Sequence, residues 1–291
     1  MATSKDTKSY KHIVQLVEDS LAIEAEAAKE AGALGFMARA LTQATMPHKK
    51  TEETRFSRVN GAFEMSIVAL GKHGLPYGSI PRLLTAWVTT EAVRTKNREL
   101  VLGTSLSDFM RELDMVPTGG RWGSITRLRE QMNRLFSAAV SARFSDDTRD
   151  TAINFVLAEK YDLWWHPKAA ETASMWESKL MLSESFYNEI TQSPVPVDMR
   201  VLKALRRSPM ALDIYPWLTY RMSYLKRPTV IPWAALQMQF GADYGRTRAF
   251  KEAFIQHLKA VLLMYPEAKA EPTDAGLELR PSPPHIPFKR S

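Results

Sequence analysis

The 291-residue sequence predicts an α+β fold in which one plan, a helix-turn-helix followed by a β-wing, is used twice in tandem. Three observations lead there. Helical and strand-like periodicities alternate along the chain. Two Gly-containing turns with an aromatic–Gly step each precede a long basic helix. Those two stretches superpose without a gap when the sequence is shifted by 122 positions, which puts Gly119 on Gly241.

The elements follow in order. Residues 1–45 read as an N-terminal arm, Ala/Glu-rich, with one weak helix over about 13–31 that Gly32 and Gly35 interrupt. Residues 46–194 read as the first unit. Within it, 61–70 (GAFEMSIVAL) alternates as a strand. Ser79 caps a helix with Pro81 in its first turn, where a missing N–H costs little. Ile80, Leu83, Leu84, Trp87 and Val88 recur at helical spacing as its inward stripe. A short strand covers 99–103, and Ser105 with Asp108 forms a capping pair for a helix over 105–115. The turn VPTGGRWG leads into a long helix from Ser124 to Val140, with Ile125, Leu128, Met132, Leu135 and Ala139 inward. Two β-like segments follow, 152–165 and 178–190; the second lies in an intramolecular sheet or forms an edge that pairs between protomers.

Residues 195–291 read as the second unit. PVPVD is a linker or sheet edge, since two prolines cannot sit in a central strand. A helix over 199–225 is broken at Pro209 and Pro216, and a short helix covers 231–239. The turn FGADYG, a long helix from Arg246 to Tyr265, a hairpin turning near Pro272–Gly276 and a loose Pro-rich end complete it.

Under the shift, Trp122-Gly123 falls on Tyr244-Gly245 and Leu128-Arg129-Glu130 on Phe250-Lys251-Glu252. Met132 falls on Phe254 and Phe136 on Leu258. Turn, aromatic, basic and apolar positions agree together, which predicts two tandem winged-helix domains. A lone helix fits the major groove, and its N-terminal end favours phosphates. Advancing around the apolar stripe, the first long helix exposes Thr126, Arg127, Glu130, Asn133, Arg134 and Ser137; the second exposes Arg248, Glu252, Gln256 and Lys259. Arg can fork onto guanine, Asn or Gln onto adenine, and Glu can accept from cytosine.

Charge agrees with a polyanionic partner: formal net charge is +7 and pI about 9.5. The basic residues cluster at 121–143, 200–227 and 246–259. Several function classes are excluded. The chain has no cysteine, hence no disulfide, Cys-zinc site or thiol catalysis, and a reducing cytoplasmic home is expected. The polar N-terminus lacks an apolar signal core, and no apolar run is long enough for a membrane span. No glycines frame a P-loop, GxGxxG or GxSxG, and the GxxG of 120–123 reads as a turn rather than an RNA clamp. The histidines (12, 48, 73, 166, 257, 285) have no metal-ligand spacing. Asp146, Asp147 and Asp150 read as a solvated turn, and Trp164-Trp165-His166 as sheet core or edge. No catalytic residue, metal or cofactor is expected, which disfavours a primase or nuclease.

The stretch 75–136, above all PTGGRWGSITRLR (117–129), together with GFMARALTQATMPH (35–48), resembles the plasmid-encoded RepA replication-initiator family of the broad-host-range, iteron-binding type. The resemblance implies a protein built from two winged-helix domains that binds direct repeats at a plasmid origin in double-stranded DNA. It would help open nearby A·T-rich DNA and bring in the host initiator and replicative helicase, doing no bond chemistry. A homodimer in equilibrium with monomer is a candidate assembly, and no membrane partner is expected. The family motif lands on Gly119, Gly120, Arg121, Trp122, Gly123, Ser124, Thr126, Arg127 and Arg129. With the helix faces, the expected DNA contacts are Arg121, Trp122, Ser124, Thr126, Arg127, Arg129, Asn133 and Arg134 in the first unit. In the second they are Tyr244, Arg246, Thr247, Arg248, Lys251, Gln256 and Lys259. A winged-helix transcriptional repressor, able to control its own promoter, is the alternative.

Overall fold

The computed structural model describes residues 4–24, 26–103, 105–163, 178–241 and 244–287; the Trp164-Trp165-His166 step lies outside them. The chain opens with α1 (Ser4–Glu24), β1 (Leu34–Met37), α2 (Arg39–Gln43) and the hairpin β2 (Arg55–Asn60) and β3 (Phe63–Ala69). There follow α3 (Ser79–Thr95), β4 (Glu99–Val101), α4 (Leu106–Glu112), α5 (Ser124–Phe136), β5 (Ala138–Ser145), β6 (Asp150–Val156), β7 (Ala158–Asp162) and β8 (Lys179–Leu182). Then come α6 (Glu184–Gln192), β9 (Val195–Asp198), α7 (Met199–Ala204) and α8 (Pro209–Tyr224). The chain ends with β10 (Thr229–Pro232), α9 (Trp233–Phe240), α10 (Thr247–Met264), β11 (Ala270–Pro272) and β12 (Gly276–Leu279).

Helices and antiparallel sheets thus make a mixed α/β fold, and the repeat extends to its topology. The run α3-β4-α4-α5-β7-β8 matches α8-β10-α9-α10-β11-β12 element for element. Each closes a three-stranded antiparallel sheet in which the first strand pairs with the last, in the orders β4-β8-β7 and β10-β12-β11. The apolar register agrees as well. Leu128, Met132 and Phe136 and their repeat partners Phe250, Phe254 and Leu258 are each no more than 2% exposed. Caps set the helix starts: the hydroxyls of Ser105, Ser183 and Ser208 accept from the backbone N–H three residues on. Only the first copy carries the inserted hairpin β5–β6, which joins β2–β3 in a four-stranded sheet.

Several elements differ from expectation, each for a physical reason. The helix from Ser124 stops at Phe136, because residues 138–142 alternate inward and outward and pair with β3. Strand β2 is hidden in the sequence by Arg58, a buried arginine lying 4.5 Å over the Phe56 ring. Helix α8 starts at Pro209 but runs through Pro216 without a break, held by burial on nearly all sides. Residues 179–190 do not form an edge: β8 is the central strand of its sheet, and the chain then turns into α6. Of the two prolines, Pro194 lies just before β9 and Pro196 is accommodated within it because its sheet has only two strands, Pro196 standing opposite Phe36.

The segment read as a loose arm is woven into the fold. β1 pairs with β9, α1 packs on α7 and α10, and Leu16 and Ile23 are buried. The C-terminal end is pinned too. Tyr265 donates its hydroxyl proton to the Pro283 carbonyl, and the His285 ring lies 4.9 Å from that of Tyr265. The Tyr215 hydroxyl accepts from the Asp198 N–H at 2.8 Å and shares a hydrogen bond with His285 Nδ1, also at 2.8 Å.

One buried ionic group joins the two units. Arg82 of α3 is 2% exposed, and its Nε and Nη2 each donate at 2.7 Å to one oxygen of Asp213 in α8. Its remaining protons go to the carbonyls of Met46, Pro47 and Gly78, which uses all five donors. His48 meets Asp213 Oδ2 at 2.8 Å. Burial alone would raise the Asp213 carboxyl, but Arg82 and His48 overcome it and hold the acid below its usual range.

Two predictions follow from these contacts. Asp213→Asn should destabilise the protein by about 3–5 kcal/mol in urea unfolding, because it strands a buried guanidinium. The double variant Arg82→Met/Asp213→Leu should lose clearly less than the two single losses combined; additive losses would mean the residues act separately. The second concerns acid. Burial lowers the affinity of His257 and His285 for a proton below the ordinary value of 6.5. The unfolded chain therefore takes up protons first, so their contribution is complete above about pH 6.5 and is lost as pH falls through the folded values. Unfolding free energy should decline from pH 7.5 to pH 5, and His285→Asn, which keeps an acceptor near Nδ1, should flatten that decline.

Candidate nucleic-acid interface

The turn before α5 is built by its own short polar side chains. Ser124 donates to the Val116 carbonyl at 2.6 Å and accepts from the Thr118 N–H at 2.8 Å. The Thr118 hydroxyl in turn accepts from the Ser124 N–H at 2.9 Å, and Thr126 donates to the Gly120 carbonyl at 2.8 Å. Two glycines are required here. Gly120 has φ +85°, and a Cβ on Gly123 would meet the Thr118 and Gly119 carbonyl oxygens at 2.3 Å.

This turn and the first half of α5 present a basic surface. Arg121, Trp122, Thr126, Arg127 and Arg129 are exposed and Asn133 is half-buried. No ion pair engages Arg121, Arg127 or Arg129 among the described residues. Ser124 and Arg134, expected to face a partner, do not. Ser124 is buried as the latch of the turn. Arg134 is 7% exposed; its Nη1 donates to the Leu75 carbonyl, its Nε and Nη2 hold Glu130, and its guanidinium lies 5.2 Å over the Tyr77 ring. Gln131 works beside it, accepting from the Tyr77 N–H at 3.0 Å. Glu130 is thereby committed to Arg134, and Ser137 bonds the Tyr161 hydroxyl at 3.0 Å. The second half of α5 is thus occupied in holding the loop that enters α3.

In the second unit the same chemistry is more engaged. Tyr244 is half-buried, its ring edge-on to Phe250 at 5.8 Å. Thr247 donates to Gln237 Oε1 at 2.6 Å, tying the start of α10 to α9. Lys251 lies 5.2 Å over Trp233 and 3.5 Å from Asp274 in the β11–β12 turn. Arg246 and Arg248 are exposed, though Arg248 reaches Glu252 in its own helix at 3.1 Å. Gln256 and Lys259 are exposed but stand apart from that end, lining a cavity of about 500 Å³ with His12, Ile13 and Leu16 of α1.

The basic run 200–227 is largely structural. Arg200 binds both Asp198 oxygens and the Glu26 carbonyl, Arg206 pairs with Asp114 at 2.6 Å, and Arg221 meets the Tyr224 hydroxyl at 2.7 Å. Lys203 and Arg207 line a cleft of about 460 Å³ between α1 and α7. Burial, then the nearby Arg207 and Arg206, lowers His12 there. The acidic turn is likewise accounted for. Asp146 accepts from the N–H groups of Thr148 and Arg149, and Asp150 accepts from the Ser145 side chain and pairs with Arg143 at 2.8 Å; these bonds lower both carboxyls. Among the described residues no group of three or more His, Asp or Glu is placed to hold a metal, and no helix is long and apolar enough to cross a membrane.

Comparison with known proteins agrees with this architecture. No curated protein matches the chain. A crystal structure of domains 2 and 3 of RctB, as the selenomethionine derivative, superposes with a TM-score of 0.52 at 11% identity, covering 85% of this chain and 96% of that one. A second structure of RctB domains 2–3 gives 0.49 at 11% identity over 82% and 94%. At that identity the likeness concerns the fold alone. The family model described as plasmid encoded RepA protein matches residues 75–234, more than half of the sequence. The chain belongs to the plasmid-encoded RepA family of replication initiators.

Proposed function

We propose that this protein starts plasmid replication by binding direct repeats at the origin in double-stranded DNA, through two winged-helix domains. The observation that carries the reading is the duplicated topology, in which each copy brings a long helix with an exposed basic N-terminal end to one place in its unit. Arg121, Arg127 and Arg129 of the first copy and Arg246 and Arg248 of the second are the contacts it favours. α5 and α10 act as recognition helices, their free N–H groups and dipoles meeting phosphate and their arginines reaching base edges. The bound protein then promotes opening of adjacent A·T-rich DNA and recruits the host initiator and replicative helicase in the cytoplasm. It works by binding, without bond chemistry of its own.

Selection from random duplex DNA tests the reading. Two helices in one chain call for an asymmetric consensus of roughly 20 bp, found head to tail in tandem. A short palindrome bound by a dimer would instead make the protein a repressor. Affinity should fall steeply with salt, each phosphate contact adding about −0.9 to the logarithmic slope. Arg127→Ala should cost about 1–3 kcal/mol on the selected site and relax one base position, with the thermal midpoint unchanged. Arg134→Met should do the reverse in stability, lowering the midpoint because it releases the Leu75 carbonyl and the Glu130 carboxylate. Equal loss from Arg127→Ala on every sequence would reduce that residue to a phosphate contact.

A further inference from the structure

Trp122 is 82% exposed, more than any other large apolar side chain among the described residues. It stands on the latched turn that precedes α5, so its position is fixed by the Ser124, Thr118 and Thr126 bonds rather than by packing of the ring. Arg121 lies over the indole at 5.1 Å, and no other aromatic ring packs on it among the described residues.

The second unit supplies an internal control. Its equivalent aromatic, Tyr244, folds back against Phe250 and is half-buried. A turn of this design can therefore tuck its aromatic residue inside. In the first unit it does not, and a large π-face is held in solvent with Arg121 against it.

An indole offers base edges a single N–H donor, and in an intact duplex the base faces that would match its large π-face are stacked on one another. Its face fits a base that has left the stack, as aromatic platforms on single-strand binders do. We propose that Trp122, backed by Arg121, is a stacking platform for an unpaired nucleobase of single-stranded DNA. The pre-formed turn keeps the ordering cost low, and Arg121 supplies a positive charge for the adjoining phosphate. This rests on the DNA-binding reading above and adds to it a site for the melted strand.

The test measures binding of the full chain to a labelled oligothymidylate of about 20 nucleotides and to a duplex of equal length carrying the selected site. Trp122→Ala should weaken the single strand by about 5- to 150-fold and leave the duplex within about threefold. Trp122→Phe, which keeps a π-face, should retain most of the single-strand affinity, while Trp122→Leu should not. A thermal melt checks that these exposed substitutions leave the fold intact. Equal losses on both DNAs, no loss on the single strand, or Leu serving as well as Phe would overturn the proposal. A wild-type protein that binds the duplex but not the oligothymidylate would also overturn it and leave the proposed function standing. Binding to neither would remove both.

Discussion

The Arg82 guanidinium is the point through which the two halves of the molecule are referred to each other. It belongs to the first helix of one unit, and its carboxylate partner Asp213 to the first helix of the other. Taking both charges out of water is costly, and an apolar pair could match the pair's stability. An apolar contact could also slide by a fraction of a helical turn. Five directed bonds from one planar group cannot, since each fixes a different piece of backbone or side chain. The placement of α3 against α8 is therefore set by geometry rather than by hydrophobic area alone.

The segment from Gln43 to His48 completes that joint. The Met46 and Pro47 carbonyls take Arg82 protons, His48 meets Asp213, the Thr45 hydroxyl donates to the Gln239 carbonyl, and Gln239 donates back to the Gln43 carbonyl. The end of α2 and the five irregular residues after it thus touch α3, α8 and α9. The stretch GFMARALTQATMPH accordingly exposes little, and its residues work as mortar between units. α9 of the second unit also packs on β2, so the four-stranded sheet found only in the first copy is part of the same joint. The repeat is a duplication of topology whose copies have been locked together by parts they do not share.

Local patterns carried much of this into the sequence. The apolar register of α5 and α10, the Ser105 cap, the break at Pro209 and the hairpin turn near Pro272–Gly276 were legible because each depends on neighbours within a few residues. What stayed hidden depends on distant partners. Arg58 made β2 look too polar for a strand, and a Pro-rich tail looked loose because nothing local hints that Tyr215 and Tyr265 receive His285. Spacing along the sequence likewise could not announce an ion pair whose members lie 131 positions apart.

Arg134 makes the same limit concrete at the candidate site. On a helical wheel it stands roughly 140° from the apolar stripe of α5, a position that reads as solvent. The wheel knows one buried face. Here the loop Leu75–Tyr77 covers a second, and Arg134 and Gln131 are the residues that receive it. The consequence reaches function. With its second half committed to that loop, α5 has only its first turns and the preceding Gly-rich turn to offer a partner. A helix limited in this way presents its N-terminal end, where the backbone N–H groups favour an anion and Arg127 and Arg129 stand exposed. Five arginines stand between 121 and 143, and their chemistry is identical. The fold divides them by what covers each, leaving three to face outward from the turn and helix, one to hold a loop and one to close a hairpin.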